Sequence, residues 1–121
     1  MSQHPFVHIE FPAKDLGATA KFYSEVFGWK TQHIPEMNYA SFETGSPPGG
    51  GFNPLSDQTK AGDVRVYIGT DDIEATLAKI ESLGGKIAMP KTEIPTVGWF
   101  ALFFDPTGNV VGLFTGLPTQ S

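Results

Sequence analysis

The chain has 121 residues, 40% hydrophobic and 17% charged, which fits one globular domain with its own core. A net charge of −5 with a single arginine excludes the basic surface that nucleic acids require, and the absence of cysteine excludes disulfides and thiolate sites. No apolar run approaches the roughly 18 residues of a membrane span, so we expect a cytoplasmic protein that binds neither nucleic acid nor membrane.

The first half of the chain predicts a strand, a helix and three more strands. Residues 6–11 alternate between apolar and polar side chains, so His8 and Glu10 share one face of a strand. A helix is predicted over residues 15–27, with Asp15 as its N-cap and Gly28 as its C-terminal stop. The remaining strands are predicted at residues 29–34, 39–43 and about 50–53.

The second half repeats this order. Residues 63–68 predict a strand, and a helix is expected over residues 72–83, where Asp71 and Glu74 resemble a capping box and Gly84-Gly85 ends the apolar stripe. Further strands are predicted at residues 86–89, 99–104 and 110–115. The turn 105–109 contains Pro, Gly and Asn, which favour chain reversal.

The two halves are related by an ungapped internal repeat. Shifting residues 6–31 forward by 57 positions pairs Asp15 with Asp72 and Gly28 with Gly85. Such a repeat indicates one supersecondary unit used twice. We therefore predict two βαβββ modules, residues 6–54 and 63–115, joined by a linker at 55–62.

The repeat also predicts where a shared site lies. It pairs His8 with Arg65 and Glu10 with Tyr67, and equivalent positions of two pseudo-symmetric modules can converge on one cavity. Polar side chains on the first strand of each module are therefore the first candidates for function.

Several motifs resemble those of the vicinal oxygen chelate superfamily, which includes glyoxalase I, extradiol dioxygenases and bleomycin-resistance proteins. The motifs are Val7-His8-Ile9-Glu10, Lys21-Phe22-Tyr23-Ser24-Glu25-Val26-Phe27-Gly28-Trp29, Asp71-Asp72-Ile73-Glu74-Ala75 and Asp105-Pro106-Thr107-Gly108-Asn109. The resemblance implies an α+β fold in which the two modules form a cup-shaped, curved mixed sheet with helices outside. It also implies a homodimer that binds a small molecule.

In metal-using members, the resemblance implies four ligands, one from the first and one from the last strand of each module. These positions fall on His8, near Gly50, on Arg65 and on Gly112. Glycine offers no side-chain donor, and a permanently charged guanidinium repels a divalent cation. We therefore expect neither a metal nor another cofactor. The alternative is a site rebuilt from Glu10 with His33 or Glu43.

His8 and Glu10 are the candidate catalytic residues. An imidazole titrates near neutrality and can transfer protons, with the carboxylate beside it. His8 can equally be a hydrogen-bonded residue of the cavity wall, and Glu10 can simply neutralise Arg65 in an ion pair.

Four further residues are candidate ligand contacts. Arg65 is the only arginine and can hold a carboxylate or phosphate bidentately. Tyr67 is either a hydrogen-bond donor or part of the wall. Trp99 and Phe100 follow the loop 95–98. They either line the mouth of the cavity or pack in the hydrophobic core.

Three function classes remain open at this stage. The first, which we favour, is a protein that binds a small anionic or oxygen-rich molecule without a metal. The second is a glyoxalase-like lyase or isomerase that uses His8 and Glu10 for proton transfer. The third is a module that now mainly dimerises or joins a larger assembly.

Overall fold

The computed structural model describes residues 3–118, which form two compact units. One unit is Val7–Val66, and the other is the remainder of the described chain. The elements, in chain order, are β1 (Phe6–Ala13), α1 (Leu16–Phe27), β2 (Lys30–Ile34), β3 (Tyr39–Glu43), β4 (Gly49–Pro54), β5 (Arg65–Gly69), α2 (Ile73–Ser82), β6 (Lys86–Ile94), β7 (Gly98–Phe104) and β8 (Val110–Gly116). This order confirms the two predicted βαβββ modules. No helix within residues 3–118 is long and apolar enough to cross a membrane.

The first module is a four-stranded mixed sheet in the order β2-β3-β4-β1. β1 and β4 run parallel, whereas the other two pairs are antiparallel. The sheet packs one face on α1, around a cluster of buried side chains from Ala13, Ala20, Ala40, Phe42 and Phe52. We call the opposite face of each sheet, turned away from the helix of its own module, the distal face.

The second module repeats the arrangement in the order β5-β8-β7-β6. Again the first and last strands, β5 and β8, are parallel, and the other pairs are antiparallel. Its core contains Ile73, Leu77, Ala101 and Leu113, between α2 and the sheet. Ahead of β1, the Pro5 carbonyl accepts a hydrogen bond from Gly69 N–H, so residues 3–6 belong to this unit rather than to the first.

Equivalent aspartates begin the two helices. The Asp15 carboxylate accepts a hydrogen bond from Ala18 N–H at 2.9 Å, and Asp72 accepts one from Ala75 N–H at 3.0 Å. Each bond satisfies a backbone donor that the first helical turn leaves unpaired. The C-terminal stop at Gly28 is also confirmed, because this residue is left-handed with φ 74° and donates to the Ser24 carbonyl.

The structure corrects some details of the second module. The prediction that Asp71 caps α2 is wrong, because Asp72 makes the capping bond one residue later. β6 extends to Ile94, five residues beyond the predicted end at Met89, through two register irregularities against β7. In the first module, a short 3-10 turn at Pro35–Met37 separates β2 from β3 and was not predicted.

Asp105 organises the predicted turn 105–109. Its Oδ1 accepts hydrogen bonds from the N–H groups of Thr107, Gly108 and Asn109, each at 2.9 Å, and its Oδ2 accepts one from the Asn109 side chain at 2.8 Å. These bonds, the one from the Asn109 side chain foremost, lower the pKa of Asp105 below its ordinary value, because they favour the ionised carboxylate.

We expect Asp105→Ala to lower the melting temperature at neutral pH. Because the pKa of Asp105 is lower in the folded than in the unfolded protein, its ionised carboxylate stabilises the fold at pH values above the ordinary aspartate pKa. This contribution is lost as the pH falls through the lowered pKa. The difference in melting temperature between variant and wild type should therefore narrow below about pH 4. Asp57→Ala, at an exposed position in the 55–62 segment, is the control. If the melting temperatures of Asp105→Ala and wild type differ by the same amount at every pH, the prediction is contradicted.

Candidate functional site

A hydrogen-bonded cluster of three side chains lies on the distal face of the first module. Tyr39 Oη is 2.7 Å from His8 Nε2 and donates to Glu10 Oε2 at 2.9 Å. His8 Nε2 and Glu10 Oε2 are 3.4 Å apart, so the phenol lies between imidazole and carboxylate. The side chains of His8 and Glu10 are 32% and 15% exposed, so the cluster is shielded but open to solvent.

The hydrogen count of the cluster fixes the direction of its bonds. A tyrosine hydroxyl carries one hydrogen, and an ionised carboxylate can only accept. Because Tyr39 donates to Glu10, the bond between Tyr39 and His8 is donated by Nε2–H of the imidazole. When His8 is an imidazolium, it can give its Nε2 proton to Tyr39 while Tyr39 gives its hydroxyl proton to Glu10, which leaves a neutral imidazole and a carboxylic acid.

Strand alternation positions these residues. Phe11 and Ala13 face the core beneath β1, so His8 and Glu10 point to the distal face, as the sequence predicted. On β3, Ala40 and Phe42 are buried in the core, so the side chain of Tyr39 also lies on the distal face.

Gly51 makes room for the tyrosine ring. It lies opposite Glu10 in the parallel β1–β4 pair. A Cβ atom at this glycine would fall 2.1 Å from both Cζ and Oη of Tyr39, so any side chain there would displace the tyrosine ring. The absence of a side chain at Gly51 thus allows Tyr39 to lie across β4 and reach Glu10.

The second module has a matching arrangement. Gly112 lies opposite Tyr67 in the parallel β5–β8 pair, and a Cβ atom there would fall 2.2 Å from the ring of Tyr67. In each module, therefore, a tyrosine ring covers the glycine that faces the first strand. Gly51, one residue from the predicted Gly50, is the counterpart of Gly112.

Arg65 is the first residue of β5 and is half-buried. Glu10 forms an ion pair with His8. The alternative in which Glu10 also neutralises Arg65 stays a prediction.

The other predicted ligand contacts divide between the two faces of their sheet. Tyr67 is 8% exposed and lies on the distal face, because Ile68 beside it packs into the core. Trp99 also packs against the core, on the helix side of β7, with Lys91 Nζ 5.2 Å from its ring centre. Phe100 points the opposite way, to the distal face, and pairs with Phe114 of β8.

A cavity of about 440 Å³ lies within the first module, and its wall does not include His8, Tyr39 or Glu10. Its wall includes Gly49, which lies opposite His8 in the β1–β4 pair, and the cross-strand pair Lys30 and Glu43. The loop 44–47 and Gly28 complete it. Its volume is within the range of about 300–1,000 Å³ found for small-molecule sites.

The residues present do not fit the four-ligand metal arrangement that the resemblance implied. Two positions are glycines covered by tyrosine rings, and a third is the cationic Arg65. For the rebuilt alternative, His33 lies beside Gly17 of α1, on the helix side of the sheet, and Glu43 is at the far end of β3 from Tyr39. Nowhere in residues 3–118 do three His, Cys, Asp or Glu side chains gather as a metal-binding group.

Sequence reasoning missed Tyr39, the central residue of the cluster. Its position was readable in part, because the alternation of residues 39–43 places Tyr39 on the polar side of a strand. What the sequence did not reveal is that β3 and β1 lie on either side of a glycine-containing β4, which brings Tyr39 to His8 and Glu10.

Two sequence relatives illustrate the range of chain lengths among similar proteins. A glyoxylase-like domain-containing protein from Didymella fabae is 34% identical over 116 residues, which cover 88% of this chain and 90% of the relative. A relative from Mycobacterium bovis is 27% identical over 113 residues, and the match covers 88% of this chain but only 43% of that longer protein.

A solved structure supports the fold, and a family model identifies the family. The methylmalonyl-CoA epimerase from Mycobacterium tuberculosis superposes with a TM-score of 0.70 at 14% identity, covering 93% of this chain and 88% of the epimerase. The family model of the Glyoxalase/Bleomycin resistance protein/Dioxygenase superfamily matches residues 6–113. The chain therefore belongs to the Glyoxalase/Bleomycin resistance protein/Dioxygenase superfamily and has its glyoxalase-like fold.

Proposed function

We propose that the protein binds a small anionic or oxygen-rich molecule on the distal face of its first module, without a metal ion. The observation that carries the proposal is the cluster of His8, Tyr39 and Glu10, which offers both donors and acceptors in a partly shielded place. A cavity of the same module has Gly49, the residue opposite His8, in its wall and offers space for the remainder of such a molecule. Arg65 belongs to the same compact unit as the cluster, Val7–Val66, and supplies a permanent positive charge there.

A thermal-shift screen of small carboxylic acids, hydroxy acids and phosphate esters tests this proposal. Ligands found in the screen should bind His8→Ala at least about tenfold more weakly than wild type, which is the loss expected for one hydrogen bond to a charged or strongly polar partner. The matched control is His33→Ala, which removes an exposed histidine from the helix side of the same module. Equal weakening by both substitutions, or a screen without any hit, would argue against the site.

A second candidate is a lyase or isomerase that transfers a proton through the same cluster. It is favoured by the continuous path from His8 Nε2 through the Tyr39 hydroxyl to Glu10 Oε2. Proton nuclear magnetic resonance in D₂O would detect solvent deuterium entering a bound carbonyl compound at the carbon beside the carbonyl. Exchange that wild type catalyses and Glu10→Gln does not would support this function, whereas binding without exchange would support the first.

The proposed absence of a metal makes a direct prediction. Purified protein should contain well under one equivalent of zinc, nickel, iron or manganese, because tyrosine rings cover Gly51 and Gly112 and Arg65 is cationic. A chelator should leave the melting temperature unchanged. Elemental analysis measures the metal content, and melting curves with and without chelator measure the melting temperature. A stoichiometric ion that stabilises the fold would contradict the proposal.

We also propose a homodimer, in keeping with the expectation from the family. The supporting observation is an exposed apolar group on α1, where Phe22, Val26 and Phe27 are 56%, 57% and 60% exposed. Light scattering during size-exclusion chromatography should give about twice the chain mass of 13.1 kDa. A monomeric mass over the whole concentration range would contradict it.

A further inference from the structure

We infer that the outer side of α1 packs against α1 of a second copy of the chain, with the two helices antiparallel across a two-fold axis. The inference rests on the proposed homodimer and deepens it, because it names the contacting surface and the symmetry of the contact. It does not depend on which small molecule the protein binds.

The internal repeat distinguishes the apolar residues of α1 that the fold requires from those that it does not. Both helices have apolar residues at the three corresponding positions that pack on their sheet: Leu16, Ala20 and Tyr23 in α1, and Ile73, Leu77 and Ile80 in α2. On the outer side the helices differ, because Phe22 of α1 corresponds to Lys79 of α2. Packing a helix on its sheet therefore does not require an apolar residue at this position, and Phe22 serves a different contact.

The exposed apolar residues of α1 form a row along the helix. Phe22 and Val26 are four residues apart, so they are neighbours on one side of α1, and the exposed Ala18 continues the row by one turn. Phe27, 60% exposed, widens the surface at the C-terminal end of the helix, and its ring centre is 5.9 Å from that of Tyr23. Rows of residues with this spacing are the ridges that interlock in the commonest class of helix pairs.

An adjoining row of charges makes this surface complementary to itself. Lys21 Nζ and Glu25 Oε2 are 3.9 Å apart, and their side chains are 74% and 67% exposed. Glu25 is three residues after Phe22 and so lies beside it on the helix. When α1 packs antiparallel on its own copy across a two-fold axis, each Lys21 meets the partner's Glu25, and this contact occurs twice. The charges thus favour a second copy of this chain as the partner.

The substitution Phe22→Lys tests the apolar row, because it gives α1 the residue that α2 has at the corresponding position. It should raise the dissociation constant of the dimer at least about 100-fold, since two buried phenylalanines are lost and each contributes roughly tenfold or more. The matched control is Leu83→Lys, at the 71% exposed residue of α2 that corresponds to Val26, and it should leave the constant unchanged. Sedimentation equilibrium over a concentration series measures these constants.

An exchange of charges tests the two-fold contact. Lys21→Glu and Glu25→Lys should each weaken their own homodimer, because each places like charges opposite one another at both contacts. When the two variants are mixed, they should form the heterodimer preferentially, since the glutamates of one chain then meet the lysines of the other. Mixing leaves the like charges within each helix unchanged, so an effect on helix stability cannot produce this preference. Native mass spectrometry, with a tag on one variant, measures the fraction of heterodimer.

An intact dimer of Phe22→Lys would overturn the inference, as would a heterodimer fraction no higher than the half that random pairing gives. In both cases the proposed homodimer would stand and would use another surface. A wild type that stays monomeric at every concentration would overturn the inference and the homodimer together. A melting curve shows whether Phe22→Lys is folded, and if it is not, the mixing experiment decides alone.

Discussion

Phe52→Ala should destabilise the first module by about 3–5 kcal/mol, the range for truncating a fully buried phenylalanine. Phe52 is 0% exposed, and its ring centre lies 5.1 Å from that of Phe42 and 5.4 Å from that of Tyr23. Alanine would leave a cavity between α1 and the sheet that these rings cannot fill. Urea denaturation followed by tryptophan fluorescence measures the effect, because Trp29 packs in the same cluster.

Phe6→Ala is the matched control for this prediction. It removes the same side chain, but Phe6 is the first residue of β1, is 58% exposed and lies outside the proposed dimer surface on α1. Its removal should cost about 1 kcal/mol or less, since little apolar surface is uncovered. If the two substitutions lower the free energy of unfolding equally, the aromatic cluster is not the core of the module.

The helices were the most predictable part of the fold because their signals are local. Asp15 and Asp72 are 57 positions apart in the sequence, and both make the same capping bond to the third residue beyond them. Gly28 ends α1 as expected, since only a residue that tolerates positive φ suits that position. The error at Asp71 arose because two adjacent aspartates offer the same signal, and only the backbone geometry selects one.

Features that depend on long-range pairing were less predictable. The extension of β6 to Ile94 follows from its pairing with β7, and the placement of residues 3–6 with the second unit follows from Pro5 bonding to Gly69. Neither contact has a local sequence signal. Strand propensity reports how well a residue fits a sheet, and the partner decides where the strand ends.

In the candidate site, too, features with a local sequence signal were predictable and those that depend on strand pairing were not. That His8 and Glu10 share a face follows from the period of a strand, and the structure brings them within 3.4 Å. Tyr39 could not be joined to them without the strand order, since it comes from two strands away. Trp99 and Phe100, treated together from the sequence, point to opposite faces because consecutive residues of a strand always do.

Arg65→Ala should weaken binding of an anionic ligand by about 1.5–3 kcal/mol, the range for a hydrogen bond to a charged group. Arg65 is a half-buried residue at the beginning of β5, outside both core clusters, so its removal takes no side chain from the core. The melting temperature should consequently change little. Calorimetry with a ligand from the screen, together with a melting curve of the free variant, gives both quantities.

Arg65→Lys refines this last prediction. Lysine keeps the positive charge but loses the planar pair of donors that can hold a carboxylate or phosphate bidentately. If the guanidinium binds the anion through both donors, the lysine variant should recover only part of the affinity lost in Arg65→Ala. Full recovery would mean that the charge alone matters. If Arg65→Ala instead lowers the melting temperature and leaves every ligand equally tight, Arg65 supports the fold, and the anion must be bound by other residues.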